Sequence, residues 1–310
     1  MLFGEHAVVY GKPCIVTAVD QKITVKVASS GEGVMRINAP DLSLRNYEKD
    51  LIDLGKGNVP RSAKFLEFGV RNFFRKYEIK TGINIETKSG FSSQFGFGSS
   101  SAVTVALIKA LTQLFDVDLD NKELFDICYR TVLDVQGVGS GFDLASAIWG
   151  GTIYFDGNTK KTTPLHVKEL PLVVGYSGVK ADTTTLVKQV ADLKVRYPEQ
   201  VDRIFDLMGE IVEKAKSAIL KKDFKTVGEL ANLNQGLLNS LGVSSEKLED
   251  LIFAAREAGA YGAKLSGAGG GDCMISFVPE ARRLQVGEAI TSAGGKIIYV
   301  KTGAEGVGIE

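Results

Sequence analysis

Polar and apolar positions along the chain change period several times, and each change marks an element. KITVKV, residues 22–27, alternates as a half-exposed strand does, and the preceding LFGEHAVVYG sets a short apolar run between Gly4 and Gly11. The first 27 residues therefore predict a β-hairpin-like start. The chain opens inside that pattern, which predicts an element begun upstream. Residues 60–76 place Phe65, Phe68, Val70, Phe73 and Phe74 at near-helical spacing after Pro60, the pattern of a helix facing a core. Ile83 to Thr87 predicts a strand, and helical periodicity follows from Ala102 to Phe115 and again from Asn121 to Val135. LASAIW is a short helical segment closed by Gly150 and Gly151, after which TIYF resumes a strand.

From Pro171 the pattern changes. LVVGYS has the length and apolarity of a buried strand, GVKADTTT reads as a turn, and residues 186–258 are largely helical. YGAKLSGAGGGDCMISFV predicts strand, glycine-rich turn and strand, followed by a helix near 281–293 and a closing strand, KIIYV. Strands precede helices in both halves, and neither a low-complexity linker nor a repeat separates them. That order predicts an α+β protein of two lobes.

Composition narrows the chemistry. With 310 residues, 44% of them hydrophobic, the chain can bury a full core in one large or two moderate domains. Lys+Arg and Asp+Glu balance at 37 each, so no net field recruits nucleic acid or a membrane. Cys14, Cys128 and Cys273 are too widely spaced for a disulfide framework or a zinc site and read as the reduced thiols of a cytoplasmic protein. No apolar run reaches transmembrane length, and no signal peptide is visible. His6 and His166 are the only histidines, which excludes a multi-His metal centre and leaves carboxylates, lysines, hydroxyls and backbone amides to carry the chemistry.

FSSQFGFGSSSAVTVAL, residues 91–107, is the most informative stretch. Gly96, Phe97 and Gly98 lead into Ser99, Ser100 and Ser101 and then directly into a helical pattern, the layout of an anion site at a helix N-terminus. Taken alone, it reads equally as a glycine turn with a serine cap. It is not a Walker A loop, because no Gly-Lys-Ser/Thr follows, and Ser101 stands where a dinucleotide fingerprint has its third glycine. QGVGSGFD forms a second hinge, with Ser140 and Gly141 closing on Asp143 at the head of LASAIW. Asp143 is there either a positioned base or a helix cap.

Together GEHAVVYG, GFGSSSA and KLSGAGGGD, in that order, resemble the three motifs of the GHMP kinase superfamily, and the resemblance spans essentially the whole chain. It implies an N-terminal ribosomal-protein-S5-like lobe with a left-handed βαβ unit (residues 1–165) and a C-terminal ferredoxin-like lobe (166–310). It also implies ATP and Mg²⁺ in the cleft between them. In the family the second motif, Gly96 to Ser101, wraps the ATP phosphates, and the serine matching Ser100 reaches Mg²⁺. The residue matching Asp143 takes or orients the acceptor's proton. Glu5, His6, Ser140, Gly141, Thr183, Lys264, Ser266, Gly267, Ala268 and Gly269 match positions that bind or support the acceptor. Phosphoryl transfer suits such equipment, because it asks the protein for positioning and charge neutralisation.

Two positions depart from the pattern. A lysine that relatives carry two positions upstream of Met1 is not in the chain, which suggests a truncated or misassigned start. Val132 stands where relatives place a second Mg²⁺ ligand, a glutamate, while Asp134 points elsewhere on a regular helix. The resemblance implies transfer to a primary hydroxyl, with mevalonate the preferred acceptor, phosphomevalonate the rival and a weakly catalytic nucleotide sensor the alternative class. The acceptor-side segments offer only Lys180 and His6 as cations, a supply suited to a single carboxylate. The expected partners are that small molecule and a second copy of the chain.

Overall fold

The computed structural model describes residues 1–310 except Ser43, Ser93, Gln94 and Lys168. The elements begin with β1 (Cys14–Thr17), β2 (Ile23–Ser29), β3 (Val34–Ala39), β4 (Leu44–Asp50), α1 (Lys64–Tyr77) and β5 (Ile83–Ser89). Next come α2 (Ser99–Leu114), α3 (Asn121–Gln136), α4 (Phe142–Trp149), β6 (Thr152–Phe155), β7 (Thr162–Pro164) and β8 (Leu172–Tyr176). The rest is α5 (Thr183–Arg196), α6 (Pro198–Leu220), α7 (Phe224–Ser240), α8 (Glu246–Glu257), β9 (Gly262–Ser266), β10 (Cys273–Phe277), α9 (Arg283–Ser292) and β11 (Lys296–Ile298). No described helix is long and apolar enough to cross a membrane.

The chain packs as two units. One comprises Gln21–Ser92, Gly98–Gly150 and Glu305–Glu310; the other comprises Met1–Asp20, residues 95–97 and Gly151–Ala304. They interleave along the chain, whereas the expected lobes, 1–165 and 166–310, are consecutive. The cause is strand pairing: β1 pairs antiparallel with β6, and β6 with β7, which draws the first residues and the 152–164 hairpin into the unit that holds the later part of the chain.

In the unit containing α1 to α4, the sheet order is β2-β5-β3-β4. β3 and β5 run parallel, with β4 and α1 in the connection between them, and the other pairs are antiparallel. Alternate residues of β5 turn inward, so Ile83 and Ile85 are buried, as are Val70 and Phe73 of α1 and Leu107 and Ile108 of α2. Phe65 and Phe68, expected in that core, are only half-buried, and Phe68 carries the Arg71 guanidinium 4.2 Å from its ring centre. A capping box between Asp120 and Glu123 starts α3. Asp134 accepts from Arg71 at 2.5 Å and from Asn72 at 3.0 Å, which ties α3 to α1.

In the other unit, the sheet order β11-β8-β10-β9 is antiparallel throughout. Counting these strands in chain order gives 4-1-3-2, with α5 to α8 following the first strand and α9 following the third, the ferredoxin-like arrangement. All residues of β8 and β10 are buried, because alternate residues enter two core clusters, one shared with β1, α6 and α7 and the other with α8 and α9, and this explains the unbroken apolar run LVVGY. The hairpin-like start does not form as expected. β1 and β2 lie in different sheets, and GEHAVVY folds into a 3-10 turn, Ala7–Tyr10, across which Phe3 pairs with Ile15.

Candidate active site

The residues singled out by sequence fall into two groups, one in each unit. In the unit holding α2 and α4, Gly98 adopts φ 70 and caps α2, so Ser99, Ser100 and Ser101 form the helix's first turn. A glycine cap has no side chain to occupy the leading N–H groups, which leaves them aimed outward with the positive end of the helix dipole. Thr104 Oγ1 donates to Ser100 O at 2.7 Å and steadies this turn, and Ser101 is buried. Ser93 and Gln94 of the same stretch lie outside the described residues.

Asp143 does not cap α4. The cap is Gly141 at φ 88, and Asp143 is the second helical residue, so its carboxylate is free for another task. That carboxylate lies against Gly98: a β-carbon added there would sit 3.3 Å from Asp143 Oδ1 and 3.4 Å from its Cγ. The head of α4 thus presents an acid group at the head of α2. Its side chain is open to solvent, yet the protein around it displaces enough water over a longer range to push its pKa up to about 6. The hinge before it is braced by Tyr129, whose hydroxyl donates to Gly139 O at 2.8 Å, and by Phe125, 2.9 Å from where a Gly141 β-carbon would stand. Ser140 is half-buried in that hinge.

Among the described residues no three His, Cys, Asp or Glu side chains come together as a metal-binding group. Val132 is buried, and Asp134, two residues on, is held by Arg71 and Asn72 as its helical position predicts. The Ser100 hydroxyl and the Asp143 carboxylate beside Gly98 are hard oxygen donors. They fit Mg²⁺, an ion that keeps much of its shell as water and phosphate oxygens.

In the other unit, the first and third motifs lock together. Lys264 and Glu5 are both sealed from solvent and form an ion pair; Lys264 also donates to Leu265 O at 2.6 Å, and Asn234 Nδ2 donates to Glu5 Oε2 at 3.2 Å. Burial pulls the Lys264 pKa below its ordinary value, with the Glu5 charge opposing. Expected at the acceptor, these two side chains instead join the two motifs beneath the surface. His6, also buried, donates from Nε2 to Ala268 O at 2.9 Å; burial lowers its pKa, the Ala268 contact and the Glu5 charge opposing, so it sits as neutral imidazole. Ser266 Oγ donates to Met1 O at 2.9 Å.

Gly269, at φ 85, passes so close to Val243 that a β-carbon would lie 2.9 Å from its carbonyl carbon, whereas Gly267 faces open space. Thr183 is the exposed first residue of α5, and the cap is Asp182, which accepts from Thr185 N at 3.2 Å. Lys180 is held by Asp272 at 3.0 and 3.2 Å. Of the two groups counted as cations for the acceptor, Lys180 pairs with Asp272, and His6 is neutral and bonded to Ala268 O. Gly96 backs onto the same Asp272, and Phe97 packs on the sheet core. Asp272, Tyr129 and Asn234 were not singled out; an acidic residue inside a glycine run was the available signal for the first.

These features place the chain in a family of phosphotransferases. It matches the GHMP kinases N terminal domain over residues 64–151 and the GHMP kinases C terminal domain over 215–296, and it belongs to the GHMP kinases. A mevalonate kinase of Thermococcus sibiricus is 38% identical over 100% of this chain and 96% of its own length. The solved mevalonate kinase of Methanococcus jannaschii is 26% identical, with a TM-score of 0.82 over 97% of this chain and 94% of that one. A Streptococcus pneumoniae phosphomevalonate kinase, 19% identical with a TM-score of 0.79 over 97% of this chain and 96% of that one, shares the fold.

Proposed function

We propose that the chain is an ATP- and Mg²⁺-dependent kinase that phosphorylates the primary hydroxyl of mevalonate to give 5-phosphomevalonate. The observation that carries this reading is the Asp143 carboxylate lying against Gly98 at the head of α2, in a chain similar over its full length to mevalonate kinases. Backbone amides of Ser99 to Ser101 hold phosphate oxygens at the positive end of α2. Asp143 accepts a hydrogen bond from the acceptor hydroxyl and takes its proton as the acceptor oxygen bonds to the γ-phosphorus and the bond from that phosphorus to the ADP leaving group breaks, the task of a positioned base. Ser100 would hold Mg²⁺, which would supply neutralisation of charge on the transferring phosphate.

On the acceptor side, Ser140 and Gly141 of the braced hinge contact the substrate. So do Thr183 at the head of α5 and the turn from Ser266 to Gly269, with His6 and the Glu5–Lys264 pair supporting that turn from below. The enzyme is cytoplasmic and pairs as a homodimer, which sedimentation tests. The buried Val132 favours a second reading, a nucleotide sensor with weak turnover. A coupled assay of ADP release over mevalonate, phosphomevalonate, homoserine and galactose separates these. Mg²⁺-dependent turnover of mevalonate is expected; preference for phosphomevalonate would replace the acceptor, and nucleotide binding with no turnover of any acceptor would favour the sensor.

A further inference from the structure

Asp272 stands inside the glycine turn of KLSGAGGGD with φ 54, a left-handed conformation that glycine adopts freely and other residues rarely hold without compensation. Its compensation is extensive. The carboxylate accepts from Lys180 Nζ at Oδ1 (3.0 Å) and Oδ2 (3.2 Å) and from Ala181 N at Oδ1 (3.0 Å). Its backbone N–H donates to Val179 O at 2.7 Å, and its carbonyl accepts from Ser177 N at 2.8 Å. On another side it meets the glycine loop: a β-carbon at Gly96 would fall 2.8 Å from Asp272 Cγ and nearer still to Oδ2. One carboxylate, nearly sealed from solvent, is therefore the wall of the loop at Gly96 and the anchor of the turn that leads to Asp182 and Thr183.

We infer that Asp272 is a positioning residue that couples the glycine loop at Gly96 to the 178–183 turn, so that one side chain sets the approach of both nucleotide and acceptor. A structural filler would not need a carboxylate here, because glycine satisfies the backbone better and asks nothing of Lys180. The coupling depends on acceptor oxygens and shape together. Lys180 and Ala181 donate to the carboxylate, and only a glycine at 96 lets the loop approach it.

This inference rests on the kinase reading, and its test keeps the two apart. Steady-state kinetics with mevalonate and MgATP would be measured for wild type, Asp272→Gly, Asp272→Asn, Lys180→Met and the double variant Asp272→Gly/Lys180→Met, each with its Tm. Asp272→Gly relieves the left-handed strain, so its Tm should match or exceed wild type. KM for both substrates should nevertheless rise about five- to tenfold with kcat within about twofold. Asp272→Asn, which tolerates the same φ and keeps an acceptor for Ala181 N, should restore most of the loss. Lys180→Met should add little in the Asp272→Gly background. Unchanged KM values in Asp272→Gly would overturn the inference. So would KM losses that track a fall in Tm in Asp272→Gly and Asp272→Asn alike. A wild type that turns over no acceptor would instead remove the kinase reading; the Kd for MgATP, expected to weaken about fivefold in Asp272→Gly, would then decide the inference alone.

Discussion

Replacing Lys264 by methionine would leave the Glu5 carboxylate sealed in the interior with its main counter-charge gone. Both side chains are 0% exposed, so no water can replace the lost ammonium, and Asn234 Nδ2 at 3.2 Å remains as the neighbouring donor. Removing one partner of such a pair costs about 3–5 kcal/mol. The surviving Asn234 contact argues for the lower end, and at about 2–4 °C per kcal/mol the melting temperature should fall by about 6–12 °C. Glu5→Gln alone strands the ammonium and should be similarly harmful. The double variant Glu5→Gln/Lys264→Met removes both charges and should recover most of the loss, giving a coupling of about 2 kcal/mol or more. Thermal unfolding of the four proteins measures this cycle. A Lys264→Met protein melting within about 2 °C of wild type would refute the buried pair as the clasp between the first and third motifs. Additive single losses in the double variant would refute it equally.

Asp143→Asn should lower kcat at least about a hundredfold with little change in ATP affinity, measured by ADP release and nucleotide titration. Because its folded pKa is raised from 3.8 to about 6, the base ionises late, and wild-type kcat/KM should rise with pH through about 6, a limb absent from the variant. The same shift means that the folded state holds an extra proton between 3.8 and about 6, so this group's contribution to stability declines as pH rises across that window. Ser100→Ala should raise the KM for MgATP about tenfold, whereas Gly98→Val, forced into φ 70 and within 3.3 Å of Asp143, should abolish turnover; unchanged ATP kinetics in both would remove the phosphate site from this helix. Tyr129→Phe loses its bond to Gly139 O and should cost about 1 kcal/mol of stability, read by urea unfolding, with a higher KM for the acceptor than for ATP.

Much of this protein is readable without coordinates. Helical spacing in 60–76 marked α1, glycine before a serine run marked the head of α2, and the unbroken LVVGYS run marked a strand covered on both faces, because in each case burial imposes a period on local sequence. β4 escaped notice for the converse reason: at the sheet edge only Leu44 of LRNYEKD is buried, so no alternation is imposed. The three glycine motifs identified the family, since positive φ and close backbone approach constrain residue type directly.

Tertiary structure alone decided what the named side chains do. Sequence left Asp143 between base and cap, and the fold gives the cap position to Gly141. Glu5 and Lys264, 259 residues apart, looked like ligand-facing charges until packing sealed them together. Lys180 looked available until Asp272, 92 residues on, claimed it. Local sequence carries conformational preference and burial period, whereas the partner of a charge depends on which distant segment the fold brings within bonding distance, and no local pattern records that choice.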